Sequence, residues 1–377
     1  MDTTKSSGPN MMAKIMNYKE NIASILIVVA IITIIVLAIV YYHKLSKMDV
    51  NECDSMGHIY NKINYSISSI NPSNPDNKYT LKDYYIKTAY NACSIGSYKN
   101  NFVSTCALKD VLRNGSRGLD FEIYSVDEEP VVSSSTSNSY FVKETFNSVP
   151  FKDVMSILAN YAFSSGTVPN PKDPIIIHLR FKTQNMNVYN KMATLFKQYD
   201  KYFMGPEYSY EYNGHNFGNV KLLDLMGKII IIVDNSNTTY QDNEDFSEYV
   251  NMASNSIFMR ALPYHDIVNT PDLIELQSFN KQNMTISMPD TNLADPSNPN
   301  PIVCREAGCN LIGMRYEEQD VNLEENNTFF NQNASAFCLK PAKLRYIPVV
   351  IPDPVKQTPK VSFAPRKATG SYYSFNY

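Results

Sequence analysis

The most constraining feature of the sequence is an uninterrupted apolar run, IASILIVVAIITIIVLAIVYY, which extends from Ile22 to Tyr42. It has no charged residue and is as long as the roughly 20 residues that a bilayer-spanning helix requires. Tyr41 and Tyr42 suit the membrane–water interface. A cleaved signal peptide is the competing interpretation, but the run exceeds a typical h-region and lacks an A-x-A-like cleavage site. We therefore predict one transmembrane helix over 22–42, preceded by a short N-terminal segment, 1–21.

The lysines that flank this run weakly indicate which end of the helix faces the cytoplasm. Lys5, Lys14 and Lys19 precede it and Lys44 and Lys47 follow it, which leans towards a cytoplasmic N-terminus under the positive-inside rule. We therefore expect a single-pass membrane protein with its main domain on the non-cytoplasmic side. An even number of cysteines there would permit disulfides, and buried free thiols are an equally compatible alternative. All six cysteines follow the run: Cys53, Cys93, Cys106, Cys304, Cys309 and Cys338.

The rest of the chain divides by composition and pattern. A polar segment, 43–80, includes NPSNPDNKY and is interpreted as a stalk or linker. Strand-like runs then alternate with helical stretches, which argues for a parallel α/β architecture, and the span 81–350 matches a TIM-like (β/α)8 barrel. The Pro-rich, basic segment 351–377 is predicted to be a disordered tail.

Composition and motif searches exclude several function classes. The formal net charge of -3 provides no broad basic field, so we expect no nucleic-acid partner. The sequence has no serine nucleophile elbow, no P-loop and no dinucleotide glycine fingerprint. No set of His and Cys residues has zinc-ligand spacing. The heavy use of Asn, Ile, Tyr and Lys indicates an AT-rich coding sequence.

Two acids in an apolar strand are the strongest chemical signal. In LDFEIYS, Asp120 and Glu122 stand two apart and therefore point to the same side of a strand. Two like charges on a buried face are unfavourable unless a cation lies between them. Taken alone, the pair suggests a metal site.

The surrounding segments resemble a known family. LKDVLRNGSRGLDFEIYSVDEEPVV, VPFKDVMSILANYAF and DPIIIHLRFKTQNMNVYNKMATLFKQY resemble, in order, the X region of eukaryotic phosphoinositide-specific phospholipase C. FNKQNMTISMPDTNLADPSNPNP and GCNLIGMRYEEQDVNLEENNTFFNQNASAFCLKPAKLR resemble its Y region. The resemblance implies a barrel built from an X-like half, about 84–204, and a Y-like half, about 217–348, with the short connector PEYSYEYNGHNFGN between them.

The resemblance also implies a catalytic site, and this sequence departs from it. Family members use two histidines for the chemistry. TAYNAC places Tyr90 at the first histidine position, and SSSTSNS places Ser134 at the second. Tyrosine titrates near pH 10 and serine offers no buffered proton, so neither replaces a histidine near neutrality. His178 is a displaced base in one interpretation and an ordinary interior histidine in the other.

The implied calcium site is changed as well. The family holds calcium with Asn, Glu, Asp and Glu. Asn91 keeps the asparagine, Asp120 and Glu122 keep the acid pair in reversed order, and Arg180 replaces the last carboxylate. A guanidinium cannot coordinate calcium. We hypothesise that Arg180 occupies the place of the cation, pairs with Asp120 and Glu122, and leaves the metal site vestigial; no cofactor is expected unless the site is active after all.

The headgroup-binding positions of the family have also lost their charges. The spaced lysines that follow GK on a strand correspond to Ile232 and Asp234, and a Y-region arginine corresponds to Leu293. An anionic headgroup would meet an acid and aliphatic chains there.

These departures favour a membrane-anchored phospholipase-C-like barrel that has lost catalysis and acts as a binding or structural protein. Its expected partners are the membrane, through 22–42, and an unidentified protein. One alternative is an active phosphoric-diester hydrolase with a rearranged site that uses His178 and calcium. Another is an envelope or virion membrane component of a large DNA virus.

Overall fold

A nearly closed barrel of parallel strands forms the main body of the computed structural model, which describes residues 8–136, 142–290, 295–348, 352–355 and 364–377. The strands are β1 (Tyr84–Ala89), β2 (Gly118–Val126), β3 (Glu129–Ser133), β4 (Val149–Pro150), β5 (Ile175–Phe181), β6 (Ile229–Asp234), β7 (Met252–Ser254), β8 (Met259–Pro263), β9 (Met284–Met288), β10 (Leu311–Met314), β11 (Phe337–Leu339), β12 (Lys367–Thr369) and β13 (Ser374–Asn376). The helices are α1 (Gly8–Tyr60), α2 (Thr105–Arg113), α3 (Phe151–Asn160), α4 (Met186–Gln198), α5 (Ser209–Asn213), α6 (Glu244–Ser247), α7 (Tyr264–Val268), α8 (Leu273–Gln282), α9 (Pro301–Glu306) and α10 (Val321–Gln332).

The barrel strands pair in the order β7-β6-β5-β2-β1-β10-β9-β8, and each neighbouring pair is parallel. Runs such as IIIHLRF in β5 are buried along their whole length, as expected for parallel strands covered on both faces. The predicted TIM-like barrel is therefore confirmed.

Successive side chains along each barrel strand point alternately towards the surrounding helices and into the barrel interior, so the apolar residues form two layers. Ile177 and Leu179 pack outwards with the helices, whereas Ile176 and Ile230 pack in the barrel interior. His178 and Arg180 share the inward face with Ile176, because residues two apart on a strand point the same way. The base of the interior is apolar, and its other end, where the strands terminate, carries charged side chains.

The first helix is longer than the expected transmembrane segment. It runs without a break from Gly8 to Tyr60, and the residues Ile22–Tyr60 contain a stretch long and apolar enough to cross a membrane. The large apolar side chains between Ile22 and Tyr42 are exposed.

The segment after this apolar stretch differs from the linker expected over 43–80. Its first part continues α1, and Met56, Tyr60, Ile67 and Ile70 are buried. Cys53, Met56 and Tyr60 recur at helical spacing and form a narrow stripe that packs on the body of the protein. Polar residues between them hide this stripe in the sequence.

One disulfide fixes α1 to the barrel. Cys53 is bonded to Cys106 near the start of α2. Cys93, Cys304, Cys309 and Cys338 are free and buried. Both alternatives left open for the cysteines are therefore present in the same chain.

The connector and the tail also contain local structure. Within the connector, α5 is a single turn in which Tyr210, Glu211 and Tyr212 adopt positive φ of 53–55°. Residues Tyr346–Tyr377 form a separate unit, in which β12 and β13 pair as an antiparallel hairpin. The hairpin differs from the disorder expected there, because Gly370 lies between two short segments that contain strand-favouring Thr and Phe. Residues 351 and 356–363 of the expected tail lie outside the described residues.

Candidate functional site at the mouth of the barrel

Register between β2 and β5 brings the inherited acids next to two basic side chains. Asp120 is paired with His178 and Glu122 with Arg180 across the two parallel strands. All four side chains point into the interior near the carboxyl ends of the strands, which we call the mouth of the barrel. The strand pattern of the sequence therefore determines this cluster.

Arg180 lies at the centre of the cluster. Its Nε and Nη2 donate to the two oxygens of Asp120 at 2.9 and 2.7 Å. Its Nη1 donates to Glu122 Oε1 at 2.7 Å, and Nη2 also donates to Asn91 Oδ1 at 2.9 Å. Arg180 is 6% exposed and Asp120 is fully buried. One guanidinium thus contacts every residue retained from the family's metal-binding set.

The electrostatics of this pair fix both charges. Burial by itself would raise the pKa of Asp120, but the charge of Arg180 and the hydrogen bonds from His178 and Arg180 outweigh it and hold that pKa well below its usual range. Burial opposes the charge of Arg180, yet Asp120, Tyr90 and Glu122 together raise its pKa well above the ordinary value. The site therefore stays an ion pair over the physiological range.

The residues present do not fit a calcium ion. Calcium requires six to eight oxygen ligands, whereas the oxygens of Asn91, Asp120 and Glu122 accept hydrogen bonds from Arg180. Asn91 has a φ of 42°, a left-handed conformation that asparagine tolerates. Its buried Nδ2 has no hydrogen-bond partner among the described residues. The orientation of the Asn91 amide is therefore set by the hydrogen bond that its Oδ1 accepts from Arg180.

Tyr90 stacks on the guanidinium of Arg180. The guanidinium carbon of Arg180 lies 4.5 Å from the centre of the Tyr90 ring, a cation–π contact. Gly313 on β10 leaves room for the ring, since a Cβ there would lie 3.2 Å from the Cβ of Tyr90. Burial raises the pKa of Tyr90 despite the opposing charge of Arg180, so its phenol remains protonated.

The second histidine position has no visible catalytic feature. Ser134 follows β3 and is fully buried, and its Oγ has no hydrogen-bond partner in the described part of the chain.

His178 is part of a hydrogen-bonded relay that the sequence did not reveal. Its Nδ1 lies 2.7 Å from Asp120 Oδ1, and its Nε2 lies 2.8 Å from Ser254 Oγ. The order Ser–His–Asp is that of a hydrolase triad. However, Ser254 is fully buried and His178 is 1% exposed. Ser254 was missed because it lies on β7, 76 positions from His178, with no local motif around it.

The structure places two of the three positions that the resemblance assigned to headgroup binding. Ile232 is fully buried in the apolar interior. Asp234 accepts hydrogen bonds from the backbone N–H of Ser236 at 3.0 Å and from Asn255 Nδ2 at 2.8 Å. Leu293 lies outside the described residues.

A cavity of about 340 Å³ remains beside the ion pair at the mouth. Burial lowers the pKa of Lys182, against the opposing charge of Glu122. The cavity wall carries side chains of both charges beside apolar ones, and its lining includes Tyr90, Glu122, Arg180, Lys182, Asp234 and Met288.

A second buried arginine extends the cluster. Arg315, 1% exposed, donates through Nε to Glu317 at 2.9 Å and stacks on Tyr98, with its guanidinium carbon 4.6 Å from the ring centre. Tyr98 in turn contacts Tyr90 edge-to-face, with the ring centres 5.8 Å apart. Two contacting rings therefore lie between two cations across the mouth, in the order Arg180, Tyr90, Tyr98 and Arg315. Arg315 lies within the Y-like segment GCNLIGMRYEEQD, but no local pattern there indicates its contact with Tyr98, which lies far away in the chain.

Comparison with known proteins agrees with this architecture. Residues 77–235 match the model of the phosphatidylinositol-specific phospholipase C X domain, and residues 232–343 match that of the Y domain. The two matches overlap at 232–235, at the end of β6, which lies downstream of the connector expected at 206–219. No curated protein sequence is significantly similar to the chain.

Solved structures share the fold. PLC21 from L. pealei superposes with a TM-score of 0.59 at 19% identity, and PLC21 from S. officinalis with 0.57 at 19%. Each match covers 72% of this chain and 38% of the solved chain, so the chain spans about two fifths of their length. Since the two domain matches together extend over more than two thirds of the sequence, the chain belongs to the phosphatidylinositol-specific phospholipase C family.

Proposed function

We propose that this protein is a membrane-anchored phospholipase-C-like barrel that has lost catalysis and acts as a binding or structural membrane protein. The observation that carries the proposal is the position of Arg180, whose guanidinium binds Asn91, Asp120 and Glu122 at once. A site that needs a divalent cation cannot assemble around a buried, permanently charged arginine.

The acid–base positions support the same conclusion. Tyr90 is held against Arg180 as a protonated phenol, and Ser134 has no titrating group to contribute. Metal, acid and base functions act as a unit in catalysis, so their combined loss leaves little for one surviving group to perform.

The remaining mouth suits binding. A cavity of about 340 Å³ with Lys182 and Asp234 on its wall can accept a small ligand with polar groups or the side chain of an unidentified protein partner. A role in a viral envelope is compatible with this function but has no structural feature in its favour.

Anchoring to a membrane rests on the exposed apolar stretch of α1. The Cys53–Cys106 disulfide favours the non-cytoplasmic side for the barrel, because disulfides persist in oxidising compartments.

The proposal is tested with the full chain in vesicles that contain phosphatidylinositol. Release of inositol phosphate is measured with calcium and with chelator, beside an active family member as the positive control. We expect no release under either condition. Release that disappears in the His178→Ala variant would show an active enzyme and refute the proposal.

The Ser254–His178–Asp120 relay is the one observation that favours the alternative, a phosphoric-diester hydrolase with a rearranged site. Its geometry suits nucleophilic catalysis, but full burial and the pairing of Asp120 with Arg180 oppose this role. A fluorophosphonate probe decides between the two functions. Labelling that is lost in Ser254→Ala would favour the hydrolase, and absence of labelling in a folded protein favours the binding protein.

A further inference from the structure

The direction of α2 provides a fixed reference within the barrel. It follows β1 and leads into β2, and these two strands are parallel. A helix that connects parallel strands runs back against them, so its first residues lie at the mouth and its last residues at the base. Cys106 therefore lies near the mouth, and Arg113 lies near the base.

The first helix runs alongside α2 in the same direction. Cys53 is bonded to Cys106 at the mouth end. Past the end of α1, the backbone N–H of Asn64 donates to the carbonyl of Arg113 at the base end, at 3.0 Å. The chain therefore passes from mouth to base between residues 53 and 64, and the part of α1 that precedes Cys53 extends away beyond the mouth.

The contacts of α1 hold this direction in place. Besides the disulfide, Tyr60 Oη donates to the carbonyl of Tyr316, and Asn64 Nδ2 donates to Asn331 Oδ1 at 2.8 Å. Since α1 is helical throughout, no hinge separates Tyr42 from Cys53. At 1.5 Å per residue, Tyr42 lies only about 16 Å beyond Cys53 along the helix axis.

We infer that the mouth of the barrel faces the bilayer that its own helix spans, so that the mouth cavity interacts with the surface of that same membrane. This inference rests on the proposed anchoring. The partner of the cavity would then be the surface of the membrane that holds the anchor. The disulfide and the continuous helix prevent the barrel from turning its mouth towards bulk solvent or a second membrane.

The chain offers a matched pair of reporter positions. Lys99, in the loop between β1 and α2, lies at the mouth and has a side chain that is 51% exposed. Ser165, in the loop between α3 and β5, lies at the base and is exposed. A strand of the length of β5 separates the two ends by roughly 20 Å. Because the native cysteines are either buried or disulfide-bonded, Lys99→Cys and Ser165→Cys each introduce one reactive thiol.

Each full-length variant is labelled with a donor fluorophore and reconstituted into vesicles whose lipid headgroups carry an acceptor. We expect clearly stronger energy transfer from position 99 than from position 165. Equal transfer, or stronger transfer from position 165, would overturn the inference.

Extraction with alkaline carbonate tests the membrane anchor separately from the orientation of the mouth. If the protein leaves the vesicles, both the anchor and the orientation are refuted. If it stays but the transfer does not favour position 99, the orientation alone is wrong and the anchor stands.

Discussion

Arg180 and Asp120 form a two-point ion pair, in which Nε and Nη2 of the guanidinium donate to the two separate oxygens of one carboxylate. This parallel geometry is the strongest form of an Arg–carboxylate contact. Because Glu122 and Asn91 bind the same guanidinium, Arg180 is the cation around which the polar side chains of the mouth are arranged.

Loss of this arginine should destabilise the fold. In Arg180→Met, Asp120 and Glu122 become uncompensated buried charges, and we expect the free energy of unfolding to fall by about 3–5 kcal/mol. Urea denaturation of the full chain in detergent measures the change. The control is Arg260→Met, whose partner Glu275 is 53% exposed and whose removal should change stability by about 1 kcal/mol or less. Equal losses in the two variants would contradict a structural role for Arg180.

Restoring the carboxylate should restore a response to calcium. Arg180→Glu would surround the mouth with the side chains of Asn91, Asp120 and Glu122 and a third acid, which is a hard oxygen set of the kind calcium prefers. We expect calcium to raise the Tm of this variant, and to leave the Tm of the unmodified protein and of Arg180→Gln unchanged. A Tm of Arg180→Glu that does not respond to calcium would show that the inherited ligands no longer form a site.

Two buried lysines should make stability rise with pH above neutrality. Burial lowers the pKa of Lys87 and of Lys340 from 10.5 to about 7. Between pH 7 and 9 the unfolded chain therefore binds more protons than the folded one, so the free energy of unfolding increases with pH, by about 1.4 kcal/mol per pH unit for each lysine. Above pH 9 the buried thiols oppose this trend, because burial raises the pKa of Cys304 to about 11.

The variant Lys87→Met isolates this effect. It should halve the slope of stability against pH between 7 and 9, whereas Lys99→Met, at an exposed position, should leave the slope unchanged. Denaturant titrations at several pH values provide the measurement. An unchanged slope in Lys87→Met would mean that the folded protein keeps this lysine protonated.

The cysteine pairing predicts a defined labelling pattern. Alkylation of the denatured protein without reductant should modify the four free cysteines, and prior reduction should expose Cys53 and Cys106 as well. Mass spectrometry counts the adducts. The bond joins positions 53 residues apart, and its loss in Cys53→Ser should lower stability by about 2–4 kcal/mol. Six alkylated cysteines without reductant would contradict the pairing.

The sequence predicted the barrel and the centre of its mouth for identifiable reasons. Strand alternation places Asp120, Glu122 and Arg180 on one face, and parallel register then brings them into contact. Alternation can be recognised in one strand at a time, whereas the expectation that Arg180 approaches the acid pair came from the resemblance to the phospholipase C family. The ion pair proposed from the sequence is accordingly present in the structure.

The features that the sequence did not predict depend on contacts between distant segments. Ser254 reaches His178 only because β7 and β5 both flank β6. The Cys53–Cys106 bond requires α1 to continue past its apolar stretch and to lie against α2. Neither relationship leaves a periodic signal, and pairing among six cysteines cannot be derived from spacing alone.

The buried arginine also limits what a single substitution can do at the mouth. An acid at position 180 would gather three carboxylates in a water-poor interior, so without calcium the variant would be less stable than the present protein. The same change would add no imidazole at Tyr90 or Ser134. Calcium binding and proton transfer therefore cannot both be introduced by one change at this position.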